Sequence, residues 1–213
     1  VMPFSEGMAA VKIGDLQTGK WGFIDKTGQV VVSPKYDWTG YFYEGLAVVE
    51  LNGKYGVIDN TGEEIVPLNY EYIAWWGFRE GLVMAELNGK WGFIDKNGQE
   101  VVPIKYDRVW SDNEIGSSVS EGMVAVELDG KWGFIDKTGQ EVVPLTYDYV
   151  GPFSGGLAAV RIGDWQSGKW GFIDKTGQEV VPFKYDYVGP FSGGLAAVML
   201  NGKWGFISIS AKS

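Results

Sequence analysis

The sequence predicts an all-β protein made of six tandem antiparallel β-meanders, and three observations predict it. The fourteen residues KWGFIDKTGQEVVP at 131–144 return letter for letter at 169–182, with near-copies beginning at Lys20, Lys54 and Lys90 and a truncated KWGFI at Lys203. Asn-Gly or Asp-Gly stands between apolar runs in LNGK at 51–54, 87–90 and 200–203 and in LDGK at 128–131. The chain of 213 residues also carries 32 Gly together with 10 Trp, 11 Tyr and 11 Phe. Many turns and many large apolar side chains point to short strands around a packed core rather than to disorder.

The copies can be laid out with the Trp of each KWG as the marker: Trp21, Tyr55 (a substitution), Trp91, Trp132, Trp170 and Trp204, at steps of 34, 36, 41, 38 and 34 residues. A second marker, the glycine before the LAAV-type run, falls at Gly7, Gly45, Gly81, Gly122, Gly156 and Gly194. One repeat domain, 1–213, is expected, with repeats at 4–41, 42–77, 78–118, 119–152, 153–190 and 191–213, the last incomplete. From the marker to the Tyr that follows the valine run the distance is always 15, from Trp21 to Tyr36 through Trp170 to Tyr185. That segment tolerates no insertion. Length varies only in the hairpin before the marker (IGDLQTGK, IGDWQSGK) and after the YD pair.

Within a copy the elements follow from turn chemistry. The Asn-Gly pair accepts the positive φ of a two-residue hairpin and joins GLAAV to KWGFID. DKTGQ is a second turn, leading into QEVVP, whose proline cannot donate to a ladder and so marks a strand end or an edge. A short piece around YDYV closes the copy, and no segment has a convincing helical period. With Asn52-Gly53 as the loop, Leu51 pairs Lys54, Glu50 pairs Tyr55, Val49 pairs Gly56 and Val48 pairs Val57. Both faces are then apolar, so each sheet should be covered on both sides, with the WG glycine where a neighbouring sheet approaches closely. Two architectures stack meanders this way. A closed six-bladed propeller-like ring is favoured because closure removes edges, with the first hairpin sharing a blade with the C-terminal FISIS strand. An open β-solenoid is the alternative.

Composition removes several function classes. A net charge of −9 is a poor match for nucleic acid or anionic lipid. Cysteine and histidine are both absent. Disulfides, thiolate nucleophiles, Ser-His-Asp triads and nearly all zinc sites go with them. No run of about 18 apolar residues exists, so no membrane insertion is expected. The opening at Val1 suggests a piece of a larger parent protein, and bacterial cytoplasm and cell surface are both compatible. No cofactor and no enzymatic activity are expected.

KWGFIDKTGQEVVP followed by YD and FSxGLAAV resembles the WG (or KWG) repeat of bacterial proteins, and the resemblance runs end to end. Departures are Tyr55 for Trp, Ser33-Pro34 shifting the proline by one, and Ser208 for Asp in the last copy. The resemblance implies a β-repeat interaction module with no shared catalytic set.

Repeated residues are read as scaffold. The ID aspartates (Asp25, Asp59, Asp95, Asp136, Asp174) suit calcium by chemistry, but one carboxylate per loop fits an Asx-turn cap better; the YD aspartates read alike. The KWG tryptophans recur at a core position, which favours packing over sugar stacking. Function is sought where the copies differ. After YD, copies four and five share YVGPFSGG, whereas copy one has Trp38, Tyr41 and Tyr43. Copy two has Trp75, Trp76 and Arg79, and copy three has Arg108, Trp110 and Asp112 with Asn113 and Glu114. Trp165 in the longer hairpin is a lone further candidate. Trp, Tyr and Arg dominate binding hot spots, so a rim of these residues is expected to bind a protein or peptide. A carbohydrate held on the tryptophans is the alternative, and a glycosidase using paired carboxylates is a third reading.

Overall fold

The computed structural model describes residues 1–15, 17–75, 77–78, 81–110 and 119–208, all of whose regular structure is β. The strands fall into two compact units, Val1–Lys105 and Tyr106–Ser213. In the first, β1 (Met8–Ile13), β2 (Lys20–Asp25) and β3 (Val30–Tyr36) form one sheet. β4 (Trp38–Thr39), β5 (Leu46–Leu51), β6 (Lys54–Asp59) and β7 (Glu64–Tyr70) form the next. β8 (Tyr72–Ile73), β9 (Leu82–Leu87), β10 (Lys90–Asp95) and β11 (Glu100–Tyr106) form the third. The second unit opens with β12 (Arg108–Val109), β13 (Val119–Ser120), β14 (Met123–Leu128), β15 (Lys131–Asp136) and β16 (Glu141–Tyr147). Then come β17 (Tyr149–Ser154), β18 (Leu157–Ile162), β19 (Lys169–Asp174) and β20 (Glu179–Tyr185), and last β21 (Tyr187–Val188), β22 (Leu195–Leu200) and β23 (Lys203–Ser208).

The central hairpins form in the expected register. Leu51↔Lys54, Glu50↔Tyr55, Val49↔Gly56 and Val48↔Val57 are partners, and the loop residues Asn52 and Gly53 take φ of 53° and 74°. Val48, Val49, Val57 and Ile58 are all buried, so the sheet is covered on both faces. Phenylalanine pairs join consecutive copies through the core, Phe23 edge-on to Phe42 at 4.7 Å and, in the second unit, Phe134 tilted against Phe153 at 4.6 Å.

Sequence copies and sheets are offset by one strand. The short strand after YD ends its copy yet opens the next sheet: Trp38 pairs Glu50 and Thr39 pairs Val49. Each copy is thereby hydrogen-bonded into its successor. The N-terminal residues fill the same place in the first sheet, where the Met2 amide donates to Ala10 O at 2.8 Å.

The third strand explains the invariant spacing of 15. Tyr55 pairs Tyr70, Val57 pairs Val66 and Ile58 pairs Glu64, with register shifts between them; the same pattern joins β2 to β3, β15 to β16 and β19 to β20. An inserted residue would move the Tyr off its partner. The proline lies on the outer strand, as an edge position requires, but it does not end it: Pro67 sits within Glu64–Tyr70. Its missing amide coincides with the irregular stretch, where no ladder bond is lost.

Two expectations need correcting. The WG glycine is crowded by its own sheet and not by a neighbouring one. A Cβ at Gly56 would lie 2.7 Å from Val66 O and one at Gly133 2.5 Å from Val143 O, both on the third strand. The bulged strand folds its carbonyl over the glycine. The other correction concerns the ends. β23 is the second strand of its own hairpin, with Leu200↔Lys203 and Val198↔Gly205, while β1 pairs β2. The first hairpin and the described part of the C-terminal strand, Lys203–Ser208, therefore belong to separate sheets, because the Asn201-Gly202 turn pairs that strand with its immediate predecessor. Along β23, Trp204 is 63% and Phe206 77% exposed.

Candidate functional site

The regular carboxylates are occupied by the scaffold. Asp136 Oδ1 accepts the Thr138 amide at 2.8 Å, the Thr138 hydroxyl at 2.6 Å and the Gln140 amide at 3.0 Å. Asp25, Asp59 and Asp174 repeat this with Thr27, Thr61 and Thr176. Those hydrogen bonds, the threonine hydroxyl first, hold the carboxyls below the ordinary value of 3.8. A depressed folded-state pKa contributes stability that is present above the unfolded value and is lost as pH falls through the folded value. Melting temperature is therefore expected to hold down to about pH 4 and to drop below it. Asp136→Asn keeps an acceptor oxygen but cannot titrate, so its deficit relative to the parent at neutral pH should close in acid. A deficit constant across that titration would contradict the assignment.

The YD carboxylates link successive copies. Asp148 accepts Lys131 Nζ at 2.6 Å from its own copy and the Gly163 amide at 2.7 Å from the next hairpin turn. Asp37 does the same with Lys20 and the Asn52 amide, and Glu71 with Lys54 and the Asn88 amide.

These links register an aromatic ladder. In the first unit Trp38, Tyr55, Tyr72 and Trp91 follow one another at centroid distances of 6.4, 5.7 and 5.7 Å. In the second, Trp132, Tyr149, Trp170, Tyr187 and Trp204 follow at 6.3, 5.6, 6.3 and 5.6 Å. The KWG residue thus alternates with the residue after YD. Trp132 and Trp170 are buried as a core position demands, but Trp21, Tyr55 and Trp91 are only half-buried. One edge of the ladder therefore reaches the surface.

There, in the first unit, lies a cleft of about 340 Å³ lined by Trp38, Glu50, Tyr55, Tyr72 and Trp75. Trp38 and Tyr55 flank Glu50 as its cross-strand partners, and Tyr72 comes from the following sheet. Trp75, 58% exposed, is placed by a turn after β8. Gly40 lets that turn approach: a Cβ there would lie 3.2 Å from Trp75 O. Burial raises the Tyr55 and Tyr72 hydroxyl pKa values, and the Glu50 charge adds to the shift at Tyr55. A larger cleft of about 1120 Å³ in the second unit is lined by repeat residues such as Asp174, Glu179, Val181, Tyr185, Phe191 and Ile207, and by none of the aromatic, arginine or acidic residues at which the copies depart from one another.

The structure brings Trp38 and Trp75 together. Tyr41 and Tyr43 are exposed, and Tyr43 Cβ lies 4.0 Å from where a Cβ on Gly77 would stand, beside the Trp75 turn. In the second unit Arg108 is exposed with Nε 3.3 Å from Glu127 Oε2. Trp110 is half-buried and packs on the core around Trp132 and Phe153. Trp165 is 75% exposed and lies beneath the Arg161 guanidinium. Trp76, Arg79, Asp112, Asn113 and Glu114 lie outside the described residues. Glu50 and Tyr72 escaped the sequence reading because they obey the repeat, and Tyr55 because the marker position was read as scaffold. Their signal was the substitution Tyr55, which stands where the other copies carry Trp.

A family model described as a WG containing repeat matches residues 1–16, 21–55, 55–91, 91–132, 132–164 and 170–204. None of the curated proteins matches the chain. Among solved structures, a crystal structure of a eukaryotic initiation factor is similar at 14% identity and a TM-score of 0.47, over 93% of this chain and 58% of that one. Hsv2 of Kluyveromyces lactis is similar at 9% identity and a TM-score of 0.43, over 78% and 56%. PorZ, a surface component of the type-IX secretion system of Porphyromonas gingivalis, is similar at 10% identity and a TM-score of 0.34, over 98% and 36%. The chain spans less than two thirds of each of these proteins.

Proposed function

Because the chain belongs to the WG-repeat family, we propose that it is a non-enzymatic scaffold that binds a protein or peptide partner through the aromatic cleft of its first unit. The observation that carries this reading is the coincidence of cleft and broken repeat. Trp38 and Trp75, two departures from the consensus, converge on one exposed concavity. Large aromatic side chains at the centre of an interface supply most of its binding energy. The regular aspartates support a non-catalytic role, since hydrogen bonds within turns and between copies already engage them. The exposed Trp75 and Trp165 faces also suit a sugar ring, so carbohydrate is the second reading.

The test is selection of binders from an unbiased displayed-peptide library, with a glycan array in parallel. Trp75→Ala and Trp38→Ala are expected to weaken selected peptides at least about tenfold, the loss of one hot-spot side chain. Melting of the Trp75 variant should be unchanged, and Tyr187→Ser, in a consensus copy, should bind like the parent. Peptides indifferent to Trp75, or glycans dependent on it, would decide for the other reading.

A further inference from the structure

The same row position recurs across the sheets, between the residue after YD and the KWG marker, and its occupants differ in charge. It holds Glu50 between Trp38 and Tyr55, Glu127 between Arg108 and Trp132, and Arg161 between Tyr149 and Trp170. In the second unit a cation sits at this position. The Arg161 side chain, only 3% exposed, places its guanidinium 3.7 Å from the Trp165 ring centre, 5.6 Å from Trp170 and 5.9 Å from Tyr149. Among the described residues its Nε has no hydrogen-bond partner, so aromatic faces do much of the holding. Around Glu127 the polarity is reversed, and the carboxylate meets the guanidinium of Arg108.

The first-unit cleft combines both halves of this chemistry. It has aromatic walls, Trp38, Tyr55, Tyr72 and Trp75, and a carboxylate, Glu50, among them. Among the described residues no ion pair involves Glu50. An exposed tryptophan from a loop covers the row in both units, Trp75 in one and Trp165 in the other. We propose that this cleft is a guanidinium site that receives an arginine side chain of the partner. The inference rests on the partner-binding reading above and gives it a chemical class. A guanidinium is planar and weakly hydrated, stacks on aromatic faces and pairs with a carboxylate through a fork of N–H donors. The chain's net charge of −9 attracts a basic segment over longer range.

The test is titration of the intact chain with N-acetyl-arginine methylamide, followed through the indole N–H signals of Trp38 and Trp75. The uncharged citrulline counterpart and the trimethyllysine counterpart are run beside it. The arginine probe is expected to move both indole signals, with citrulline at least tenfold weaker. Glu50→Gln and Trp75→Ala should each weaken the arginine probe at least tenfold. Glu50→Arg should close the cleft to it by placing a guanidinium there, as Arg161 does in its own row, and Tyr187→Ser should change nothing. Circular dichroism melting establishes that each variant is folded. Equal binding of citrulline, indifference to Glu50→Gln, or tighter binding of trimethyllysine overturns the guanidinium assignment. If library peptides depend on Trp75 but carry no arginine, this inference falls while the partner-binding reading stands. If no peptide depends on Trp75, the partner-binding reading itself has failed.

Discussion

Gly133→Ala is expected to be among the most destabilising single substitutions in the chain, and Gly205→Ala among the mildest. The two glycines occupy the same place in KWGF. At Gly133 a Cβ would meet Val143 O at 2.5 Å and Leu145 N and Pro144 C at 2.8 Å, all of them backbone. No side-chain rotation relieves such a contact, so the third strand must move and the Trp132↔Tyr147 register with it. Overpacking of this kind costs about 1–3 kcal/mol and sometimes more, and a backbone obstacle places Gly133 at the upper end. At Gly205 no described residue lies within 4 Å of a Cβ. Thermal melts of the two variants decide the matter. Similar losses in both would mean that the glycine serves something other than the approach of the third strand.

Trp132→Ala should cost about 3–5 kcal/mol, the range for removing a large aromatic side chain from a core, and lower Tm by roughly 10 °C. Trp132 is 7% exposed and packs in one cluster with Met123, Phe134 and Phe153. Trp204 at the matching position is 63% exposed, so Trp204→Ala should cost far less. Denaturant melts provide the comparison. A Trp132 variant as stable as the Trp204 variant would show that burial at this position contributes little. The pair also tests whether the marker tryptophan is conserved in its role from copy to copy or takes its role from what lies next to it.

The letters already contained the β class, the six copies, the Asn52-Gly53 hairpin with its pairing of Glu50 to Tyr55, and the aspartate turns. Each of these is settled within a few consecutive residues, by φ preference at a turn or by a side-chain oxygen within reach of nearby amides. The spacing of 15 was visible as a constraint, but its cause, a bulged third strand, was not, since one period fits several pairings. Other features depend on segments far apart in the chain. Only the folded arrangement sets Trp38 and Trp75, thirty-seven positions apart by their numbers, around Glu50. It alone buries Trp132 while leaving Trp204 open, and passes the strand after YD to the next sheet. Identical side chains acquire different environments because burial and field at a residue come from whatever packs against it, and in a repeat array that neighbour belongs to another copy.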